Sequence, residues 1–226
     1  MAKNKVLCVA VHPDDETLGC GGTLLKHKAN GDEIYWLLLT GTPINMPVEE
    51  MDEGTKFRKA LMDTINNSYH FDGVEYLAFP PALMHSVDIK DVIGKISEVF
   101  KRIRPNIIYT MFANDVHSDH RIAFDAVYSC TKSFRYPFIE HIYMMETLSE
   151  TEFALSVPAK TFIPNVYVDI THFIKEKLAI MEKYTKQIME APYPRSLSSI
   201  EALARVRGSR AGVMYAEAFQ LLYEKR

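Results

Sequence analysis

Short apolar runs alternate with amphipathic stretches through the first two-thirds of the chain, and this rhythm constrains the fold more than any other feature. "VLCVAV" (6–11), "EIYWLLLT" (33–40), "VEYLAF" (74–79) and "NIIYTMF" (106–112) each have the length of a strand. The second is apolar almost throughout, as befits a strand covered on both faces. Between them lie stretches of helix length: 20–30, 49–66, 87–104 and 117–134. Strand–helix–strand repetition of this kind builds a parallel sheet with crossover helices. The expected fold is α/β: a Rossmann-like, mostly parallel sheet flanked by helices on both faces, as a single domain over residues 1–226.

Local signals support these elements. Gly31 stops the first helix, and the second has acids early and bases late, which suits the helix dipole. Val92, Ile96, Val99 and Ile103 share one helical face, and Pro105 ends that helix. Ser118 or Asp119 would cap the helix at 117–134. Further strands are expected at 141–148 and 165–171, and helices at 172–190 and 197–225, with "APYPRS" breaking the chain between them. Residues 149–164 read as loop.

Composition narrows the partners. The net charge of −3 gives no basic face for nucleic acid. After Lys3 and Lys5 only six apolar residues precede His12, too few for an export signal, and no window approaches the roughly 20 needed for a membrane span. Three widely spaced cysteines (Cys8, Cys20, Cys130) suit free thiols in a reducing compartment. A cytoplasmic protein is expected.

Two polar clusters sit at strand exits. The first strand runs into "HPDDE" (12–16) and the fourth into "ANDVHSDH" (113–120). In an open α/β sheet, ligands bind beyond the carboxyl ends of the strands, so the two clusters can converge. Three adjacent carboxylates (Asp14, Asp15, Glu16) resist burial unless something neutralises them. His12 and Asp15 are three apart, as are His117 and His120, so each pair can face one point. Imidazole, carboxylate and imidazole form a three-ligand set for catalytic zinc, and the same set can hold ferrous iron. Asp14 or Glu16 would remain to take a proton from water, and one histidine would remain to meet developing charge. Taken singly, "HPDDE" can be an ordinary turn and "HSDH" an ordinary helix start; their joint placement favours a metal. Cys20 is a weak candidate ligand, since a helix packing face begins there.

At these residues the chain resembles the LmbE-like, or PIG-L, family of metal-dependent N-acetylglucosaminyl deacetylases. "AVHPDDETLGCGGTL" (10–24) and "HSDHR" (117–121) match its two signature motifs, and weaker similarity runs through "NVYVDIT" and "RGSRAGVMYAEAF" (207–219). The resemblance implies zinc, or another divalent ion, held by His12, Asp15 and His120. It makes Asp14 the general base, gives His117 the oxyanion or the leaving amine with Asp119 tuning it, and sets Arg58 against the substrate. That substrate would be a small N-acetylated sugar, and the protein could act as a homo-oligomer. Lys59, Ala60 and Leu61, and the stretch "FPPALMHS", depart from the family pattern where relatives shape the sugar pocket. Hydrolysis of another N-acyl amide, or sugar binding without catalysis, are the competing readings.

The tail "RGSRAGVMYAEAFQLL" allows two readings. Arg207, Arg210 and Tyr215 could hold an anionic group of the substrate; the favoured reading is a C-terminal helix packing Val213, Ala216 and Phe219 onto the sheet. Tyr193 and Trp36 could stack on a sugar, although Trp36 lies in a strand and suits the core.

Overall fold

Strands and helices follow the expected order until the last quarter of the chain. The computed structural model describes residues 3–44 and 46–226. Its elements are β1 (Lys5–Ala10), α1 (Asp15–Ala29), β2 (Glu33–Thr40), α2 (Glu53–Tyr69), β3 (Gly73–Phe79), α3 (Ile89–Ile103), β4 (Ile107–Thr110), α4 (Ser118–Ser129), β5 (His141–Met145), β6 (Val166–Asp169), α5 (Ile174–Met181), α6 (Leu197–Ala211) and β7 (Ala216–Glu224). The strands form one sheet in the order β3-β2-β1-β4-β5-β7-β6. The first five are parallel, and β7 runs antiparallel to both neighbours.

Strand order reverses between β1 and β4. From β1 the chain moves outward through β2 to β3, and from β4 it moves the other way to β5. Right-handed crossovers therefore place α1 and α2 on one face and α3 and α4 on the other. Their packing follows, α1 against α2 and α5, and α3 against α4. Both central strands are sealed, with Val6 to Ala10 at 0% exposure. Trp36 is fully buried in β2 and stacks on Phe71 at 5.6 Å, so it belongs to the core.

Helix ends follow local chemistry. Asp52 caps α2 by accepting from the Thr55 amide at 2.6 Å, and Asp88 caps α3 by accepting from Lys90 at 2.9 Å. Arg104 closes α3 with φ 58, a left-handed residue placed where Pro105 disfavours further helix. Val92, Ile96, Val99 and Ile103 are all buried, as their spacing required.

The expected helix over 197–225 is corrected. Gly212 ends α6 in the left-handed region, and residues 216–224 form β7, which fills the slot between β5 and β6. The spacing of Val213, Ala216 and Phe219 mimics a helical face. Sheet pairing overrides it, and Ala216 to Phe219 are consecutively buried. Two more boundaries move. Helix α5 stops at Met181, well short of 190, and Tyr184 beyond it is buried with its hydroxyl on Glu16. Helix α1 starts at Asp15 and is broken at Cys20, whose φ is −146.

Candidate metal centre

Because β1 and β4 are paired neighbours, "HPDDE" and "ANDVHSDH" leave the sheet side by side. His12, Asp15 and His120 converge there. The His120 Nε2 atom lies 3.4 Å from both Asp15 Oδ2 and His12 Nδ1, and His12 Nδ1 lies 4.0 Å from Asp15 Oδ2. Atoms bound about 2.0–2.1 Å from a tetrahedral ion stand about 3.3 Å apart, so this triangle fits one divalent ion after small adjustments.

The outer nitrogens are also engaged. His120 Nδ1 lies 2.9 Å from Asp115 Oδ2, and Asp115 in turn accepts from the Thr151 hydroxyl at 2.7 Å. His12 Nε2 lies 3.5 Å from Asp119 Oδ2. Carboxylates on the far nitrogens orient imidazoles for metal binding. Asp15 Oδ2 accepts the backbone amides of Val11 and His12 at 2.9 and 2.7 Å, which fixes its rotamer.

Charge balance gives a second test of fit. Asp14, Asp15, Glu16, Asp115 and Asp119 are all at most 3% exposed. Burial and repulsion from Asp15 and Glu16 hold Asp14 well above the usual carboxylate range. Burial alone lifts Glu16 to about 7. Burial pushes Asp15 up, but His120 and His12 more than reverse it, so Asp15 stays ionised. Burial pushes His120 down, yet Asp15 and Asp115 lift it well above the ordinary imidazole value. A buried site that raises an imidazole while lowering a carboxylate is a site that wants positive charge. The donor set and the charge both suit a divalent cation.

The other expected residues line the same region. Asp14 occupies φ 122, a conformation rare for a non-glycine residue, and so diverges from Asp15 next to it. His117 caps α4, in place of Ser118 or Asp119: its Nδ1 accepts the Asp119 amide at 3.1 Å, which leaves Nε2 to carry the proton. The Asp119 carboxylate accepts from the Ala82 and Met84 amides and approaches His12, while its backbone amide is what bonds His117. A cleft of about 400 Å³ is walled by His12, Asp14, Asp15, Arg58, His117 and Glu150, with other residues. A second cavity of about 230 Å³ adjoins it across Pro13, Arg58 and Gln187.

Several residues escaped the sequence reading. Arg195, from the "APYPRS" break, lies 3.5 Å from Asp14 Oδ2. Glu150, from the stretch read as loop, is lifted by burial to about 6. Asp115 stands in the quoted stretch, five residues before His120, and that spacing was its only signal. The tail arginines take other partners. Arg207 pairs with Glu146 at 2.8 Å, Arg210 is exposed, and the Tyr215 hydroxyl bonds Glu201. Tyr193 is 61% exposed. Cys20 lies 3.4 Å from Cys8, both buried free thiols, so it is a packing residue. Among the described residues, no helix is long and apolar enough to cross a membrane.

Known proteins share this fold. Over 96% of its length, the chain is 24% identical to the diacetylchitobiose deacetylase of Thermococcus kodakarensis, covering 83% of that protein. A conserved protein of Thermus thermophilus superposes with a TM-score of 0.74 at 25% identity, over 96% of this chain and 93% of that one. GalB of Pseudomonas putida, a 4-carboxy-2-hydroxymuconate hydratase, also gives 0.74 at 18% identity, over 99% of this chain and 98% of that one. A family model described as PIG-L, GlcNAc-PI de-N-acetylase, matches residues 7–131. Since that match takes in more than half of the sequence, the chain belongs to the PIG-L family.

Proposed function

We propose that this protein is a metal-dependent hydrolase that removes the acetyl group from an N-acetylglucosamine-type sugar or glycoconjugate. The observation that carries the reading is the His12–Asp15–His120 triangle opening into a cleft beside Asp14. The family description and the deacetylase relative supply the substrate class. His12, Asp15 and His120 would hold the ion, a donor set that suits Zn²⁺ and also accommodates Fe²⁺. When bound, such an ion polarises an amide carbonyl and acidifies water.

The remaining steps belong to the chain. An amide needs an activated nucleophile, charge relief at its oxygen and a proton for its nitrogen. Asp14 stands beside the triangle without completing it, and takes the proton of the attacking water. Arg195, at 3.5 Å, keeps the Asp14 carboxylate aimed into the cleft. His117 presents a protonated Nε2 to the developing oxyanion or to the departing amine. Arg58 contacts the sugar from the wall shared by the two cavities, which together have room for a ring and its attached group.

Purified protein should carry about one zinc per chain and release amine from members of a library of N-acetylglucosaminides. Inactivity toward every N-acetyl sugar, with turnover of another N-acyl amide, would move the substrate class. Because a hydratase shares this fold, amine release and not mere substrate consumption has to be measured.

A further inference from the structure

Helix α1 is interrupted, and a buried ion pair occupies the interruption. Cys20 leaves helical geometry, so the short turn from Asp15 to Gly19 is separate from the longer segment that follows. In an unbroken helix the Gly22 amide would reach back to the Leu18 carbonyl. Here the Leu18 carbonyl accepts from Lys177 Nζ at 3.0 Å, and the Gly22 amide donates to Glu217 Oε1 at 2.8 Å. Lys177 Nζ and Glu217 Oε1 are 2.7 Å apart, and Glu217 Oε2 also accepts the Thr23 amide at 2.7 Å. The pair bridges the two ends of one displaced helical bond.

Its polarity matches the backbone. The ammonium meets the carbonyl end of the first turn, and the carboxylate meets the amide end of the second segment, each the favourable sign for that terminus. Both side chains are only 4% exposed, so water screens neither contact. A buried ion pair is weak evidence for stability, because desolvation offsets its attraction. What it gives here is location. A single isolated turn has no helical stability of its own. This one bears Asp15 and follows directly on Asp14 and His12. Lys177 comes from α5 and Glu217 from β7, elements that contribute no ligand to the triangle.

We propose that Lys177 and Glu217 are positioning residues for the metal centre: by clamping the break in α1, they set where Asp15 and Asp14 stand relative to His120. The proposal rests on the reading of His12, Asp15 and His120 as ligands. Lys177→Met and Glu217→Gln are made singly and together in the full chain, checked for folding by circular dichroism, stripped of metal and titrated with Zn²⁺ against a competing chelator. Folded single variants should bind Zn²⁺ more weakly, by up to about 10–100-fold, the loss that follows removal of groups bonded directly to ligands. Their kcat should fall while KM stays within about twofold, and the double variant should be no worse than the poorer single one. Folded variants with wild-type Zn²⁺ affinity and kcat, whatever their melting temperature, overturn the proposal. Should both single variants fail to fold, Lys177→Arg and Glu217→Asp keep the charges but alter their reach; weaker Zn²⁺ binding supports the proposal and unchanged binding overturns it. Wild-type protein that takes up no Zn²⁺ overturns the metal-centre reading and this inference with it; wild-type uptake with unaltered variants overturns this inference alone.

Discussion

Asp14 and Asp15 are adjacent in sequence yet sit in opposite electrostatic situations, and the backbone is the reason. Asp15 opens α1 with its carboxylate pinned by two amides and two imidazoles, whereas Asp14 precedes it at φ 122 with Arg195 as its neighbour. This separation predicts different phenotypes. Asp14→Asn should keep near-stoichiometric zinc while kcat drops about 10²–10⁴-fold, the usual contribution of a general base. Metal loss in that variant would mean that the two aspartates have exchanged roles. His120→Ala should strip the metal, and His117→Ala should retain it with kcat about 10²–10³-fold lower. Metal analysis beside steady-state rates decides each case. Equal zinc in both histidine variants would defeat the assignment. The two clusters were legible in sequence because each follows a strand exit, and the family resemblance singled out His12, Asp15 and His120 within them. Arg195 was not, since it meets Asp14 across 181 residues of chain and only tertiary folding brings them together.

At the scale of elements, the glycines of α1 show why "GCGG" stands where it does. A Cβ on Gly22 would come within 2.9 Å of three Ile170 side-chain atoms at the end of β6. Gly22→Ala should therefore cost about 1–3 kcal/mol through overpacking, seen as a melting point lower by several degrees. Gly94, exposed on α3 with nothing near its missing Cβ, should behave in the opposite way. Gly94→Ala is expected to stabilise by about 0.5–1 kcal/mol in the same thermal scan. A gain at Gly22 or a loss at Gly94 would contradict the packing described. Strands β1 to β5 were readable because their apolar runs are long and their separations have helix length. Strand β7 was not: "YAEAFQLL" carries helix formers spaced like a helical face, and its strand state depends on a slot offered by β5 and β6. The break in α1 had a local signal in Gly19, Gly21 and Gly22, which weaken a helix around Cys20, but its partners Lys177 and Glu217 lie far along the chain and were not readable.

For the whole molecule, the candidate metal centre ties distant parts of the chain together. The residues proposed as its ligands follow the two strands at the sheet's reversal point, and residues packed around them come from α4, the loop after β5, α5, β7 and the segment before α6. An ion bound only by the native state stabilises by mass action, about 2.7 kcal/mol when free ion is 100-fold above Kd. For a chain of this size that corresponds to roughly 5–11 °C in melting temperature. Chelator-treated protein should melt lower by that order and recover on adding Zn²⁺, and no shift would argue against a native ion site. Following such melts is simple in this protein. Trp36 is its single tryptophan, sealed in β2 against Phe71 and not among the residues that wall the cleft. Its emission will stay blue and constant while ligands come and go, and will redden only when the sheet itself opens, giving an optical gauge of unfolding that occupancy of the cleft does not disturb.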